Sequence, residues 1–320
     1  MNSQLEAPSL APENDALRGV RRPRFGVRRA LRAAGAALQW RLLLWWALLL
    51  LLPALVAALP VWRMLSASLD YSVHAARLAE RLDMLALADV MGGAQERWGS
   101  AIGSGGLVAL VLTLLLSPLL SGMTVAAARA PGRLGMSSLL AAGAQEYGRM
   151  LRMLVWAAIP LALTAMLAGA MFRAAGRTAE TALLESDARH AAHLAMAGAA
   201  LLFVIVHATV DAGRALLATE RRRKSAVVAW WGGVRLLLRR PLALLGSYVA
   251  VTAIGLALAA LLALARLHVP ALGAGGTVGA FLLAELVVIV LGWMRCARLF
   301  ALMALARDQA TLPLTQRPSH

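Results

Sequence analysis

Long runs of apolar residues alternate with short polar segments along this chain of 320 residues. A helix needs about 20 mainly apolar residues to cross about 30 Å of hydrocarbon, because it rises about 1.5 Å per residue. Six runs reach that length, and none alternates apolar with polar residues as the strands of a membrane barrel do. We therefore predict an all-α, polytopic membrane bundle of six transmembrane helices. The predicted spans are residues 42–62, 104–127, 153–172, 191–212, 242–265 and 275–294.

Three polar segments lead into the first, third and fifth spans, and each has a glycine six residues before an arginine. The pairs are Gly35 and Arg41, Gly143 and Arg149, and Gly233 and Arg239. Internal similarity of this kind is typical of chains built from repeated units. Whether this spacing is a true repeat or the product of an Ala- and Arg-rich composition stays open.

These three segments also mix small, aromatic and basic residues, which is typical of a helix lying along the membrane surface. Aromatic rings of such helices settle at headgroup depth, and their arginine tips reach phosphates. We predict three hairpins, each preceded by a cytoplasmic interfacial helix that turns into the membrane at its arginine. The predicted interfacial anchors are Arg41, Arg149, Arg239, Trp40, Tyr147, Trp230 and Trp231.

The segments outside the spans complete the predicted domain organisation. Residues 1–17, with three acidic residues and two prolines, are predicted to be a disordered tail. Residues 18–41 form a basic amphipathic segment, residues 42–305 the membrane domain and residues 306–320 a cytoplasmic tail. The connection after the first span is predicted to hold a helix over residues 64–90 that ends before Gly92-Gly93.

Composition and charge agree with a membrane protein. Apolar residues make up 60% of the chain and charged residues 15%, against about 45–50% and about 25% in soluble domains. Of the 32 basic residues, 24 lie in the two terminal segments and in the second and fourth connections, so the positive-inside rule puts both termini in the cytoplasm. No basic patch is interleaved with stacking aromatic residues outside the spans, which argues against nucleic acid as a partner. The single cysteine, Cys296, excludes a disulfide scaffold.

Three ionisable residues fall on one face of the fourth span. His207, Asp211 and Arg214 stand at positions i, i+4 and i+7, near the end of the span that is predicted to be cytoplasmic. One interpretation is an interfacial ion pair between Asp211 and Arg214 that fixes how this span meets the next segment. The other is the inner mouth of a proton or anion path.

Glu285 lies at the centre of the sixth span, about 14 Å from either end. A charged side chain at that depth costs about 2.5–3.5 kcal/mol on insertion scales, so we expect it to face the bundle interior. Three roles of Glu285 stay open. Its carboxyl group makes a hydrogen bond that packs two helices together, binds a coupling ion or a proton, or contacts a lipid headgroup. Hydroxyl groups available as its partners are those of Thr113, Ser117, Thr164, Ser247 and Thr252.

Motifs for enzymatic chemistry are missing from the sequence. It contains no nucleophile elbow, no HExxH and no P-loop. Gly103-Ser104-Gly105-Gly106 is not followed by the Lys-Ser/Thr of a phosphate-binding loop. His190 and His193 stand three residues apart beside Asp187, which is only a weak indication of a metal site at the surface. We therefore predict no enzyme, no cofactor and no catalytic or metal-binding residue.

Several short motifs give the chain a resemblance to a known group. They are Arg41, Leu120-Ser121-Gly122, Asp211-Ala212-Gly213-Arg214, Ser225-Ala226 and Arg239-Arg240-Pro241. On these motifs, residues 28–305 resemble uncharacterised six-helix bacterial integral membrane proteins that are related in layout to glycerophosphodiester phosphodiesterase membrane domains. The resemblance implies a six-helix bundle in a bacterial inner membrane and little about activity, because no phosphodiesterase domain is attached.

The function expected from the sequence is that of a membrane subunit or scaffold without enzymatic chemistry. Its expected partners are membrane lipids, with anionic headgroups at the cytoplasmic face, and another membrane protein or a second copy of the chain. The alternative is a small transporter or channel that uses Glu285 and the His207, Asp211 and Arg214 face as an ion or proton pathway.

Overall fold

A computed structural model describes residues 27–69, 84–182, 184–220, 225–269 and 273–310 of the chain. The described residues form helices joined by short turns, and they contain no β-strand. The helices are α1 (Val27–Ala36), α2 (Trp40–Leu69), α3 (Met84–Arg129), α4 (Met136–Thr181), α5 (Glu185–Thr219), α6 (Ala226–Arg239), α7 (Pro241–Leu267) and α8 (Gly273–Ala310).

Six of these helices are long and apolar enough to cross a membrane, which confirms the predicted number of spans. They are α2, α3, α4, α5, α7 and α8. Most extend beyond the predicted spans: α3 and α4 have 46 residues each, about 69 Å at 1.5 Å per residue. Pro118 and Pro160 lie inside these two helices, where neighbouring helices can satisfy the carbonyl group that a proline leaves free.

The six spanning helices pair as three hairpins, α2 with α3, α4 with α5, and α7 with α8. The largest contacts between successive hairpins follow one rule: the second helix of a hairpin packs against the segment that precedes the next hairpin. Thus α3 packs against α4, α5 packs against α6, and α8 packs against α1. The last contact brings the first and last described helices together, so the three hairpins form a closed ring.

The predicted interfacial helices are present as separate helices in two of the three places. Helix α6 ends at Arg239, just before Pro241, which starts α7 at a position where a missing N–H is harmless. Helix α1 is separated from α2 by residues 37–39. The prediction of a separate interfacial helix before the third span is wrong. Residues 141–149 lie inside the unbroken α4, because Ala, Gln, Glu and Arg continue a helix and no proline interrupts it there.

The predicted helix over residues 64–90 also differs from the structure. Residues 64–69 are the last residues of α2, and residues 84–90 belong to α3, which continues through Gly92-Gly93. A glycine inside a helix costs only about 1 kcal/mol, and a continuous helix keeps its backbone groups bonded where water is excluded. Residues 70–83 of that prediction, the tail at 1–17 and residues 311–320 lie outside the described residues.

Most of the buried core lies in one half of the bundle, which we call the basal half, although Met64 of α2 is fully buried in the other half. The basal half contains α1, α6 and the C-terminal end of α8. Two clusters of buried apolar residues lie in this half, on the sides of the helices that face the interior. The largest fully buried side chains there are Leu42, Leu120, Met123, Leu139, Met153, Leu217, Leu236, Leu244, Leu302, Met303 and Leu305. In the opposite, distal half, large apolar side chains are exposed, among them Leu107, Leu163, Met166, Leu194, Leu201, Leu261 and Leu264.

Candidate functional site

The three ionisable residues predicted on one face of α5 come together in the basal half. Asp211 is buried, and Arg214 Nη1 donates a hydrogen bond of 2.8 Å to its Oδ1. His207 Nδ1 lies 3.5 Å from Oδ2 of the same carboxylate. The spacing of three and four residues on one helix accounts for both contacts, because such residues are neighbours on a helix surface.

Two further residues join this cluster from other helices. Arg298 of α8 is only 7% exposed, and its Nε lies 3.5 Å from Asp211 Oδ2. Arg298 Nη1 donates to the hydroxyl of Tyr248 in α7 at 3.1 Å, and its guanidinium carbon lies 4.9 Å from the centre of that ring. The Tyr248 hydroxyl is in turn 3.0 Å from His207 Nδ1. We call His207, Asp211, Arg214, Tyr248 and Arg298 the buried charge network.

Arg298 and Tyr248 were not predicted as site residues. We ended the sixth span at residue 294 and counted Arg298 as one of the positive charges that follow it. The structure continues α8 to Ala310, which carries Arg298 into the protein interior beside Asp211. One signal was available: the apolar residues Leu299, Phe300 and Leu302 follow Arg298 at once, which is typical of a continuing buried helix rather than of a solvated tail.

A second network joins three helices around Glu146. Its carboxylate accepts hydrogen bonds from Arg129 of α3 and, at 2.8 Å, from Arg149 one turn further along α4. Arg149 also donates to the carbonyl oxygens of Leu217 and Glu220, which end α5. Predicted as an anchor to lipid phosphate, Arg149 instead satisfies carbonyl groups that a helix C-terminus leaves without intrahelical partners.

Replacing Arg149 by lysine is expected to lower the free energy of unfolding by about 1–3 kcal/mol. A lysine ammonium keeps the charge but lacks the planar fork that bonds a carboxylate and two carbonyls together, so buried acceptors lose their donors. Unfolding by SDS titration in mixed micelles, followed by circular dichroism, measures the loss. Arg152→Lys is the matched control, because Arg152 is exposed and, among the described residues, donates only to Gly148 O of its own helix. Equal stability of the two variants would contradict the role of Arg149.

A third set of ion pairs closes the ring at the base. Asp308 near the end of α8 lies 3.4 Å from Arg29 of α1 and 3.0 Å from Arg240, which stands between α6 and α7. Beside it, Arg307 donates to the carbonyl of Ala128 at the end of α3. The C-terminal end of α8 therefore bonds to the first hairpin, to the α1 segment that precedes it and to the residue that precedes the third hairpin.

The remaining predicted anchors divide into two kinds. Tyr147 donates to Leu115 O, Trp230 donates to the Thr209 hydroxyl at 3.2 Å, and Arg41 donates to Leu134 O. These side chains hold helices and turns together. The others are exposed at the rim of the basal half: Trp40, Trp231 and Arg239.

Glu285 does not lie where it was expected. Met294, which packs against Gly255 of α7, is nine residues further along α8 and therefore about 180° from Glu285 around the helix. Glu285 is half-buried, and in the described part of the chain it makes no hydrogen bond or ion pair. Four of the hydroxyls predicted as its partners donate to carbonyls of their own helices: Thr113, Thr164, Ser247 and Thr252. Glu285 therefore lies on the side of α8 opposite its contact with α7, and the expectation that one of these four hydroxyls bonds it is wrong.

Within the described residues, no group of three or more His, Cys, Asp or Glu side chains could hold a metal ion. Gly103-Ser104-Gly105-Gly106 lies inside the continuous helix α3, so its backbone N–H groups are engaged along the helix. In the buried charge network, Asp211 is offset by Arg214 and Arg298, and His207 is bonded to Tyr248. The arrangement joins α5, α7 and α8 by polar contacts.

The fold and these contacts define a multi-pass helical membrane protein. Comparison with protein-family models, with curated proteins and with solved structures finds no match to the chain. The resemblance to six-helix bacterial membrane proteins therefore stays a prediction.

Proposed function

We propose that this chain is a non-enzymatic subunit or scaffold of a bacterial inner membrane. The observation that carries the proposal is the contrast between the two halves of the bundle. The basal half is closed by three sets of ion pairs and two apolar clusters, whereas the distal half exposes large apolar side chains on every hairpin. A rigid base with an apolar distal surface suits a protein that holds other membrane components in place.

The proposed orientation puts the basal half in the cytoplasm, as the positive-inside rule predicts. Exposed basic residues follow the basal rim, among them Arg28 and Arg32 on α1 and Arg239 on α6. Trp40 and Trp231 are exposed beside them. Anionic headgroups of the inner leaflet are the lipids that such a rim would bind, at about 1 kcal/mol per basic residue.

Labelling of introduced cysteines in intact cells is expected to follow this orientation. Gly132→Cys, in the turn between α3 and α4, stays unlabelled by a membrane-impermeant maleimide until the cells are opened. Leu184→Cys, in the turn between α4 and α5, is labelled from outside. The native Cys296 is buried and gives a low background. The reverse pattern would overturn the proposed topology.

The alternative of a transporter or channel needs Glu285 and the buried charge network on one path. Glu285 and Arg298 are thirteen residues apart on α8, which separates them by about 20 Å along the helix and by about 140° around it. Arg298 faces Asp211 inside the bundle, whereas Glu285 lies on the side of α8 that packs against Trp46 of α2 two turns further along. This separation favours the scaffold over the transporter.

Flux measurements in proteoliposomes test the proposed function. The purified chain is reconstituted, a potassium diffusion potential is applied, and proton uptake is followed with a trapped pH dye. We expect uptake equal to that of protein-free vesicles, for the wild type and for Glu285→Gln alike. A flux above that background that Glu285→Gln abolishes would reject the scaffold in favour of the alternative.

A further inference from the structure

One face of α8 in the distal half carries a carboxyl group within an apolar seam. Val278, Phe281 and Glu285 follow one another at spacings of three and four residues, and Leu282 borders them. Val278 is 57% exposed, Phe281 52% and Leu282 55%, so this seam is open to its surroundings. Alternating spacings of three and four place residues in one stripe, which is how a helix presents itself to a second, nearly parallel helix.

The same face of α8 is covered in the basal half. Gly292, two turns from Glu285 on this face, lies against the ring of Trp46 in α2. Further toward the distal end the exposed seam begins. The face is therefore suited to helix packing along its length, and in the described structure only its basal part has a partner.

Charge decides what kind of helix can cover the seam. A carboxyl group at the centre of a span needs a hydrogen-bond donor or an opposite charge, and no described residue supplies one to Glu285. A second copy in the same membrane orientation would meet the seam at equal depth, which brings one Glu285 carboxyl against another. A basic side chain on a different helix would instead be complementary.

We propose that the Glu285 seam binds a transmembrane helix of a partner protein that carries an arginine or lysine near the middle of its span. This inference rests on the proposed function and sharpens it by naming the chemistry of the partner. In the resulting contact the basic group donates to the Glu285 carboxylate, while Val278 and Phe281 pack against apolar side chains on either side. The carboxylate then specifies which helix binds and at what depth.

Association with designed transmembrane peptides tests the inference without a known partner. The probe is a Leu/Ala peptide of about 22 residues with one central arginine, and its control has leucine at that position. The full chain is labelled at an introduced Leu267→Cys, reconstituted in phosphatidylcholine vesicles and titrated with each dye-labelled peptide, and energy transfer is measured. We expect the arginine peptide to bind wild type about tenfold more tightly than the leucine peptide, and Glu285→Gln to remove that difference.

A relocated carboxylate controls for non-specific pairing of charges in the bilayer. The variant Glu285→Leu combined with Ile254→Glu moves the acid to the exposed face of α7 near mid-span. We expect it to bind both peptides equally weakly. Equal binding of the two peptides by wild type, tight binding by the relocated variant, or Glu285-dependent self-association of the chain would each overturn the inference. Proton flux is measured in the same vesicles. If wild type binds both peptides equally and shows no flux above background, the partner helix at the Glu285 seam is rejected, whereas the proposed scaffold function is not.

Discussion

Replacing Asp211 by alanine is expected to lower the free energy of unfolding by about 3–5 kcal/mol, the usual cost of leaving a buried charge without its partner. Asp211 is buried at the meeting point of α5, α7 and α8, and Arg298, which faces it, is 7% exposed. Without the carboxylate, the acceptors left to the Arg298 guanidinium in the described part of the chain are the hydroxyls of Tyr248 and Thr252. SDS titration in mixed micelles, followed by tryptophan fluorescence, measures the loss.

Two further variants make this expectation specific. Asp211→Ala combined with Arg298→Met leaves no unpaired charge from that pair, so it should be less destabilised than Asp211→Ala alone. Glu185→Ala removes an exposed partner of Arg189, 3.7 Å away on the same helix, and should change stability little. If Asp211→Ala unfolds no more easily than Glu185→Ala, the buried charge network does not stabilise the fold as expected.

The second large effect is expected at Gly233, where α6 crosses α5. A Cβ atom at this position would lie 2.6 Å from Thr209 O and 2.8 Å from Gly213 N, both of which are backbone atoms of α5. Backbone cannot rotate aside as a side chain can, so α6 must move outward. We expect Gly233→Ala to cost about 3 kcal/mol of stability, the upper part of the range for overpacked sites, and to strain the hydrogen bond from Trp230 to Thr209.

Gly35→Ala is the matched control, because Gly35 and Gly233 each stand six residues before an arginine that precedes a spanning helix or lies at its start. Apart from its own helix backbone and chain neighbours, no described atom lies within 4 Å of a Cβ built on Gly35, so the added methyl group is accommodated. Alanine also favours a helix over glycine by about 1 kcal/mol, which makes this variant neutral or slightly more stable. Thermal unfolding of the two purified variants compares them directly, and an equal loss in both would contradict the close packing of α5 and α6.

The six spans were predictable because burial in lipid imposes length and composition on each helix separately. Every run of about 20 apolar residues must form its own backbone hydrogen bonds, so no long-range contact is needed to place it. Helix ends were less predictable. Arg298 shows why: a charge after an apolar run is typical of a helix end, and only its contact with Asp211 on another helix makes the interior position favourable.

The candidate site was predictable only as far as it lies on a single helix. His207, Asp211 and Arg214 follow from spacing within α5, whereas Tyr248 and Arg298 depend on how three hairpins pack. Glu285 shows the opposite error. We assumed that a costly carboxyl group finds a hydrogen-bond partner in its own bundle, but the partner that a residue reaches depends on how neighbouring helices sit around its helix, here with Gly255 of α7 against Met294 on the opposite side.

The contact between α1 and α8 has a consequence for how the chain is assembled. Ala30 and Ala34 of α1 are buried, and α1 packs against α7 and α8, which follow all the other described helices along the chain. During synthesis, α1 therefore stays without its packing partner at the membrane surface until the third hairpin has been inserted. The ring closes only at that step, so a chain that stalls earlier leaves this surface bare, available to proteases and chaperones that recognise unfinished membrane proteins.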